Sequence, residues 1–84
     1  MTPVYPNPVM EKEFTLNYSI GLDAITTVTI YNATGDIMAV VKNEFQKSGS
    51  YSLPISVDKM TSGAYRIVLS SGVFEESQNL VIVK

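Results

Sequence analysis

Three observations predict an all-β fold: apolar and polar residues alternate with period two, glycine-bearing turn clusters recur along the chain, and no segment has a convincing amphipathic helical period. The turn clusters are Ser19-Ile20-Gly21, Ala33-Thr34-Gly35-Asp36, Lys47-Ser48-Gly49, Thr61-Ser62-Gly63 and Ser70-Ser71-Gly72, and together they hold all five glycines. Units of strand plus turn about 8–12 residues long are the spacing of an antiparallel sandwich or barrel rather than of βαβ units. The specific expectation is an immunoglobulin-like antiparallel β-sandwich of about seven short strands.

The first element is a lead-in. Thr2–Pro8 contains three of the four prolines; in Tyr5-Pro6-Asn7-Pro8-Val9 the two prolines fix the backbone and Asn7 is pressed toward an extended form by Pro8. Residues 1–8 are therefore read as a stiff extended entry and residues 9–84 as the sandwich of a single domain. Tyr5 and Val9 are expected to cover an open end of the sandwich, with the prolines blocking strand addition at an edge. A strand follows where Phe14, Leu16 and Tyr18 alternate with Glu13, Thr15, Asn17 and Ser19. Val28 and Ile30 alternate with Thr27, Thr29 and Tyr31 in the next.

Asn43–Lys47 carries no clear period and is read as loop. The clearest strand is Ser50–Asp58, where Tyr51, Leu53, Ile55 and Val57 alternate with polar residues and with Pro54. A proline cannot donate to a ladder, so this strand belongs at an edge or carries a bulge. Tyr65, Ile67 and Leu69 alternate with Arg66, Val68 and Ser70, and Leu80–Val83 forms a last apolar strand.

Length and composition set the outer bounds. The chain has 84 residues, 45% hydrophobic and 17% charged, which suits one small core rather than a disordered tail. A domain this short buries only about 60% of the surface its unfolded chain exposes, and with no cysteine no disulfide compensates, so modest stability is expected. The net charge is −2, and Lys12, Lys42, Lys47, Lys59, Arg66 and Lys84 are scattered, which argues against a nucleic-acid footprint. Apolar runs such as Ile37–Val41 and Leu80–Val83 fall far short of the ~20 residues of a membrane helix. The N-terminus has no signal-peptide pattern, so any export signal is expected upstream, in a larger parent protein.

Chemistry has little to work with. There is no histidine and no cysteine, which excludes serine–histidine, cysteine–histidine and ordinary zinc sites. Asp23, Asp36, Asp58, Glu75 and Glu76 are the candidates for a glycosidase-type carboxylate pair, but solvated loop and strand-face carboxylates are the better reading. The same aspartates lack the dense oxygen-ligand spacing of a calcium loop. Asn17-Tyr18-Ser19 and Asn32-Ala33-Thr34 match the N-glycosylation tripeptide and are read as coincidence. No enzyme activity, cofactor or metal is expected.

Several segments taken together resemble a known family: Tyr5-Pro6-Asn7-Pro8-Val9, Ile30-Tyr31-Asn32 followed by Gly35, Ser62-Gly63-Ala64-Tyr65, and Leu80-Val81-Ile82-Val83-Lys84. In this order and spacing the chain resembles the C-terminal sorting domain (type A) of the type IX secretion system of Bacteroidetes-type bacteria. Ala64 departs from the pattern, which more often has valine or isoleucine there. The resemblance implies a non-catalytic secretion signal on an N-terminal cargo protein. Such cargo passes through the periplasm and the type IX outer-membrane translocon to the cell surface or exterior, where a sortase-like peptidase removes the domain, cutting before Tyr5. It also implies that Tyr5, Pro6, Asn7, Pro8, Gly35, Gly63, Tyr65, Leu80, Val81, Ile82, Val83 and Lys84 are the recognition positions.

The terminal strand, if it lies at a sheet edge, could be captured by strand addition to a receptor. In the plainer reading of the same residues, Leu80 and Ile82 complete the core, and Gly35, Gly63 and Gly72 supply turn dihedrals. Exposed edge strands are also expected to allow weak homodimerisation by sheet extension. Two other classes compete: a generic immunoglobulin-like module resembling those of flagellar hook-capping proteins, and a carbohydrate-binding or adhesive sandwich using Tyr18, Tyr31, Phe45 and Phe74.

Overall fold

The computed structural model describes Met10 and residues 12–84. These residues form six strands and no helix: β1 (Glu13–Ile20), β2 (Ala24–Asn32), β3 (Ile37–Gln46), β4 (Gly49–Ser56), β5 (Gly63–Ser71) and β6 (Phe74–Ile82). All pairings are antiparallel; β1 pairs with β4, and the remaining strands run in the order β3-β2-β5-β6. The expected sandwich class is thus what the chain adopts, with six strands among the described residues.

The alternation read in β1 becomes a strict burial pattern: Phe14, Leu16, Tyr18 and Ile20 are buried, while Glu13, Thr15, Asn17 and Ser19 are exposed. Opposite them in β4, Ile55, Leu53 and Tyr51 pair with Phe14, Leu16 and Tyr18, so one face of the two-stranded sheet is apolar. Tyr18 and Tyr51 stack with ring centroids 5.4 Å apart and planes 18° apart, the offset arrangement that cross-strand aromatic pairs favour. Across the interior, Val28 and Ile30 of β2, Tyr65, Ile67 and Leu69 of β5, and Leu80 and Ile82 of β6 complete one contiguous core with Val57 and Met60. Pro54 lies opposite Thr15 in β4, whose only partner among the described strands is β1, as the edge expectation required.

The loop expected at Asn43–Lys47 is a correction. Residues through Gln46 continue β3, with Asn43 opposite Thr27, Phe45 opposite Ile25 and Gln46 opposite Ala24. The period was invisible because this end of β3 is polar on the face it shares with the core. Lys42, Glu44 and Gln46 stand on that face opposite Val28, Thr26 and Ala24, and Phe45 on the other face is 60% exposed. Gln46 is nonetheless buried, because the Tyr18 hydroxyl donates to its Oε1 at 2.8 Å and ties the two sheets together. The Thr26 and Ser71 hydroxyls pair at 3.0 Å in the same interior. Every buried side-chain polar atom among the described residues has a partner, as a small core demands.

The hairpin joining β5 and β6 has a two-residue loop, Gly72-Val73, with Ser71 facing Phe74. Gly72 sits at φ +62 while no non-glycine residue among those described has positive φ, which makes this a type II′ turn with glycine at its first central position.

Two outcomes follow. Ile67→Ala, at a site of 0% exposure, should lower unfolding free energy by about 2–5 kcal/mol, against roughly 0.5 kcal/mol or less for Leu22→Ser at an exposed turn; thermal and urea unfolding measure both. The Lys42 ammonium hydrogen-bonds the Glu44 carboxylate at 2.9 Å, which raises the lysine pKa and holds the glutamate below its ordinary value. Its small contribution is present above the unfolded carboxyl pKa and is lost as pH falls through the folded one. Lys42→Ala should move the Glu44 titration upward in an NMR pH series.

Candidate functional site

Three strands converge at one end of the four-stranded sheet. Register places Asn32 of β2 opposite Tyr65 of β5, and Tyr65 opposite Leu80 of β6, in a single cross-strand row. The adjoining rows are Tyr31–Arg66–Asn79, Ala64–Val81 and Gly63–Ile82. Side chains alternate across a strand, so Tyr65, Leu80 and Ile82 point into the core and are buried. Tyr31, Ala64, Arg66 and Val81 share the opposite face.

The β2–β3 turn is organised by Asn32. Its Oδ1 accepts the backbone N–H groups of Thr34 at 3.1 Å and Asp36 at 2.9 Å. The Thr34 hydroxyl lies 2.8 Å from Asn32 Oδ1 and 3.0 Å from Asp36 Oδ2. Main-chain bonds from Gly35 N to Asn32 O and from Asn32 N to Asp36 O close the loop. Gly35 adopts φ +91, and a Cβ at this position would have no atom within 4 Å, so glycine is required here by the dihedral and not by crowding.

Tyr65 closes the other side of this end. Its hydroxyl donates to the Thr61 carbonyl at 2.6 Å, bracing the link into β5 against the start of that strand. The last residues return to that link: Lys84 N donates to Ser62 Oγ at 2.8 Å and Lys84 Nζ to the Asp58 carbonyl at 3.1 Å. The C-terminal segment is therefore held against the β4–β5 connection, with Val81 and Val83 left partly exposed.

An open groove of about 610 Å³ runs over this end, between the β2–β3 turn and the last residues of β6. Arg66 crosses its floor with the guanidinium 5.7 Å from the Tyr31 ring centroid, a cation–π contact between cross-strand neighbours. The groove thus offers one cation, an aromatic edge, the amide of Asn79 and the backbone of a rigid turn.

Of the recognition positions implied by the sequence, Gly35, Tyr65, Leu80 and Val81 line this groove and Gly63 lines the shallower dip beside it. Ile82 is buried at the same end, and Val83 and Lys84 lie just beyond β6. Tyr5, Pro6, Asn7 and Pro8 lie outside the described residues. Sequence reasoning missed Arg66 and Asn79, and it placed Asn32 in a signature segment without assigning it a role in the turn. The available signal was an asparagine followed three residues later by glycine, the composition of a side-chain-braced turn.

The other candidate constellations do not assemble. Glu75 and Glu76 are neighbours in one strand and face opposite sides of the sheet, opposite Ser70 and Leu69 respectively. Asp23 accepts Ser48 N at 2.7 Å, in a structural role between the β1–β2 and β3–β4 connections. Among the described residues no three histidine, cysteine, aspartate or glutamate side chains are grouped to hold a metal. The four rings considered for a glycan strip are dispersed: Tyr18 is buried, Tyr31 and Phe45 mark opposite ends of the β2–β3 pair, and Phe74 lies at the far end of β6.

Asn32→Ala and Tyr65→Phe each remove hydrogen bonds that brace this end, and each should cost about 1 kcal/mol in urea unfolding. Hydrogen exchange should rise at Thr34–Asp36 for the first and around Thr61–Ala64 for the second, leaving β1 protected.

A family model described as the secretion system C-terminal sorting domain matches residues 3–84. No curated protein and no solved structure matches the chain significantly. The family's role is a C-terminal sorting signal for type IX secretion, which entails contact with the type IX machinery and transit toward the outer membrane or the exterior. Matched over residues 3–84, with three of its signature segments gathered at one end of a sheet, the chain belongs to the secretion system C-terminal sorting domain family.

Proposed function

We propose that the domain is a non-catalytic address label whose reading surface is the groove at the Asn32–Tyr65–Leu80 end of the four-stranded sheet. Cargo attached at its N-terminus travels through the periplasm to the type IX outer-membrane translocon, which engages this end. A sortase-like peptidase then removes the domain, at a position before Tyr5, as the cargo becomes attached to the cell surface. The observation that carries the reading is the register: segments far apart in sequence, Ile30–Gly35, Ser62–Tyr65 and Leu80–Val81, meet around one groove.

Burial divides the labour among these residues. Tyr65, Leu80 and Ile82 hold the shape from the core side, while Arg66, Val81 and the Asn32–Asp36 turn present it to a partner. The segment Tyr5-Pro6-Asn7-Pro8 is then the junction between cargo and label. The sandwich is read as immunoglobulin-like. The pairings β1–β4 and β3-β2-β5-β6 correspond to strands B–E and C′-C-F-G of that fold, and the Tyr65 hydroxyl reaching back four residues reproduces its tyrosine corner.

A signal-peptide-bearing fluorescent reporter fused to residues 3–84, with the native segment preceding them, tests the proposal in a bacterium with a type IX system. Surface display should require a functional translocon, and the displayed reporter should have lost the domain. Arg66→Glu with Val81→Asp should reduce display by about tenfold or more, as loss of central contacts does at other interfaces. Leu22→Asp at the opposite end should leave it unchanged. Periplasmic retention of the unaltered fusion in both strains would overturn the assignment, and equal display of the two variants would move the reading surface elsewhere.

A further inference from the structure

We infer that the C-terminal half of β3 is a self-association edge, on which a second copy of this chain adds its own β3 antiparallel about a two-fold axis through Asn43. This does not depend on the sorting role. Among the described strands β3 ends the order β3-β2-β5-β6, so one side of its backbone faces away from β2 with a row of donors and acceptors. Its N-terminal half is guarded: the pairing with β2 shifts register between Val28 and Thr29 and again between Ile30 and Tyr31, leaving Val41 and Met38 as extra residues. Such bulges twist an edge away from a flat partner. Lys42–Gln46 is regular, contains no proline, and carries Phe45 at 60% exposure beside Ile25 at 63%.

Charge selects the partner and the register. A two-fold that extends an antiparallel sheet keeps core faces together, so the axis must pass through a residue. The only charged residues of β3 are Lys42 and Glu44, hydrogen-bonded on one face at 2.9 Å. An axis at Lys42 or Glu44 would oppose like charges. An axis at Asn43 sets Lys42 against the second copy's Glu44 and Glu44 against its Lys42. A lysine on an edge ordinarily discourages pairing; against this sequence read backwards it finds its complement.

Sedimentation equilibrium of the 84-residue chain over a range of concentrations tests this, with circular dichroism to establish that each variant is folded. The native chain should reach a monomer–dimer equilibrium that weakens with salt. Lys42→Glu and Glu44→Lys should each weaken association by about tenfold or more, since each places like charges directly opposite. The decisive sample is the mixture of those two variants, in which every opposed pair is again unlike: it should form a heterodimer of native strength. Because both variants lack the intrachain ion pair, recovery cannot come from repaired folding. A native chain that stays monomeric throughout, variants that dimerise as the native chain does, or a mixture no tighter than its components would each overturn the inference.

Discussion

The inner face of β1 lying on the β2–β5 pair is the contact on which the rest of this domain depends. Phe14 and Leu16 on one side, and Val28, Ile30, Ile67 and Leu69 on the other, are all nearly or fully withdrawn from water. Burying a side chain of that size stabilises by roughly 1.5–3 kcal/mol, and a domain of 84 residues has few such residues to lose. With no cysteine in the chain, no disulfide supplements them. The polar groups that enter the interior are paired off, Tyr18 with Gln46 and Thr26 with Ser71, so the core loses little of its gain to unmet hydrogen bonds.

That contact also positions the Asn32–Tyr65–Leu80 end of the sheet. Antiparallel register is propagated from the β2–β5 centre, and a slip of one residue would turn every core side chain toward solvent. The packing that fixes Val28 opposite Leu69 therefore also fixes Asn32 opposite Tyr65, and through β6 fixes Leu80 beside both. The sorting family's signature mixes residues of two kinds for this reason. Some, such as Leu80, Ile82 and Tyr65, are core or bracing positions; others, such as Gly35 and Val81, lie exposed at the turn and on the outer face. Bracing by the Tyr65 hydroxyl and by Lys84 on the β4–β5 link keeps that end in one arrangement, which favours recognition by reducing the ordering a partner must impose.

The margins of the sandwich are handled differently from its centre. β4 carries Pro54 and β3 is bulged twice in its first half, both devices that discourage further pairing. Lys42–Gln46 has neither, and its inner face exchanges apolar packing for an ion pair and a buried amide. The same substitution of polar for apolar residues removed the periodic signal there, so the segment hardest to read in the sequence is also one that carries neither device.

The sequence by itself determined the all-β class, the inward sets of β1, β2, β4 and β5, and the turns at the five glycine clusters. Period-two alternation and positive-φ turn residues are local properties that need no knowledge of partners. It also carried the family signature in linear order. Tertiary structure alone decided that β3 extends through Gln46, because Gln46 is buried by a hydroxyl from another strand rather than by its own hydrophobicity. It decided the groove as well. Which rows of β2, β5 and β6 coincide depends on how two faces pack together, and no property of any one segment states which residue of another strand will lie opposite.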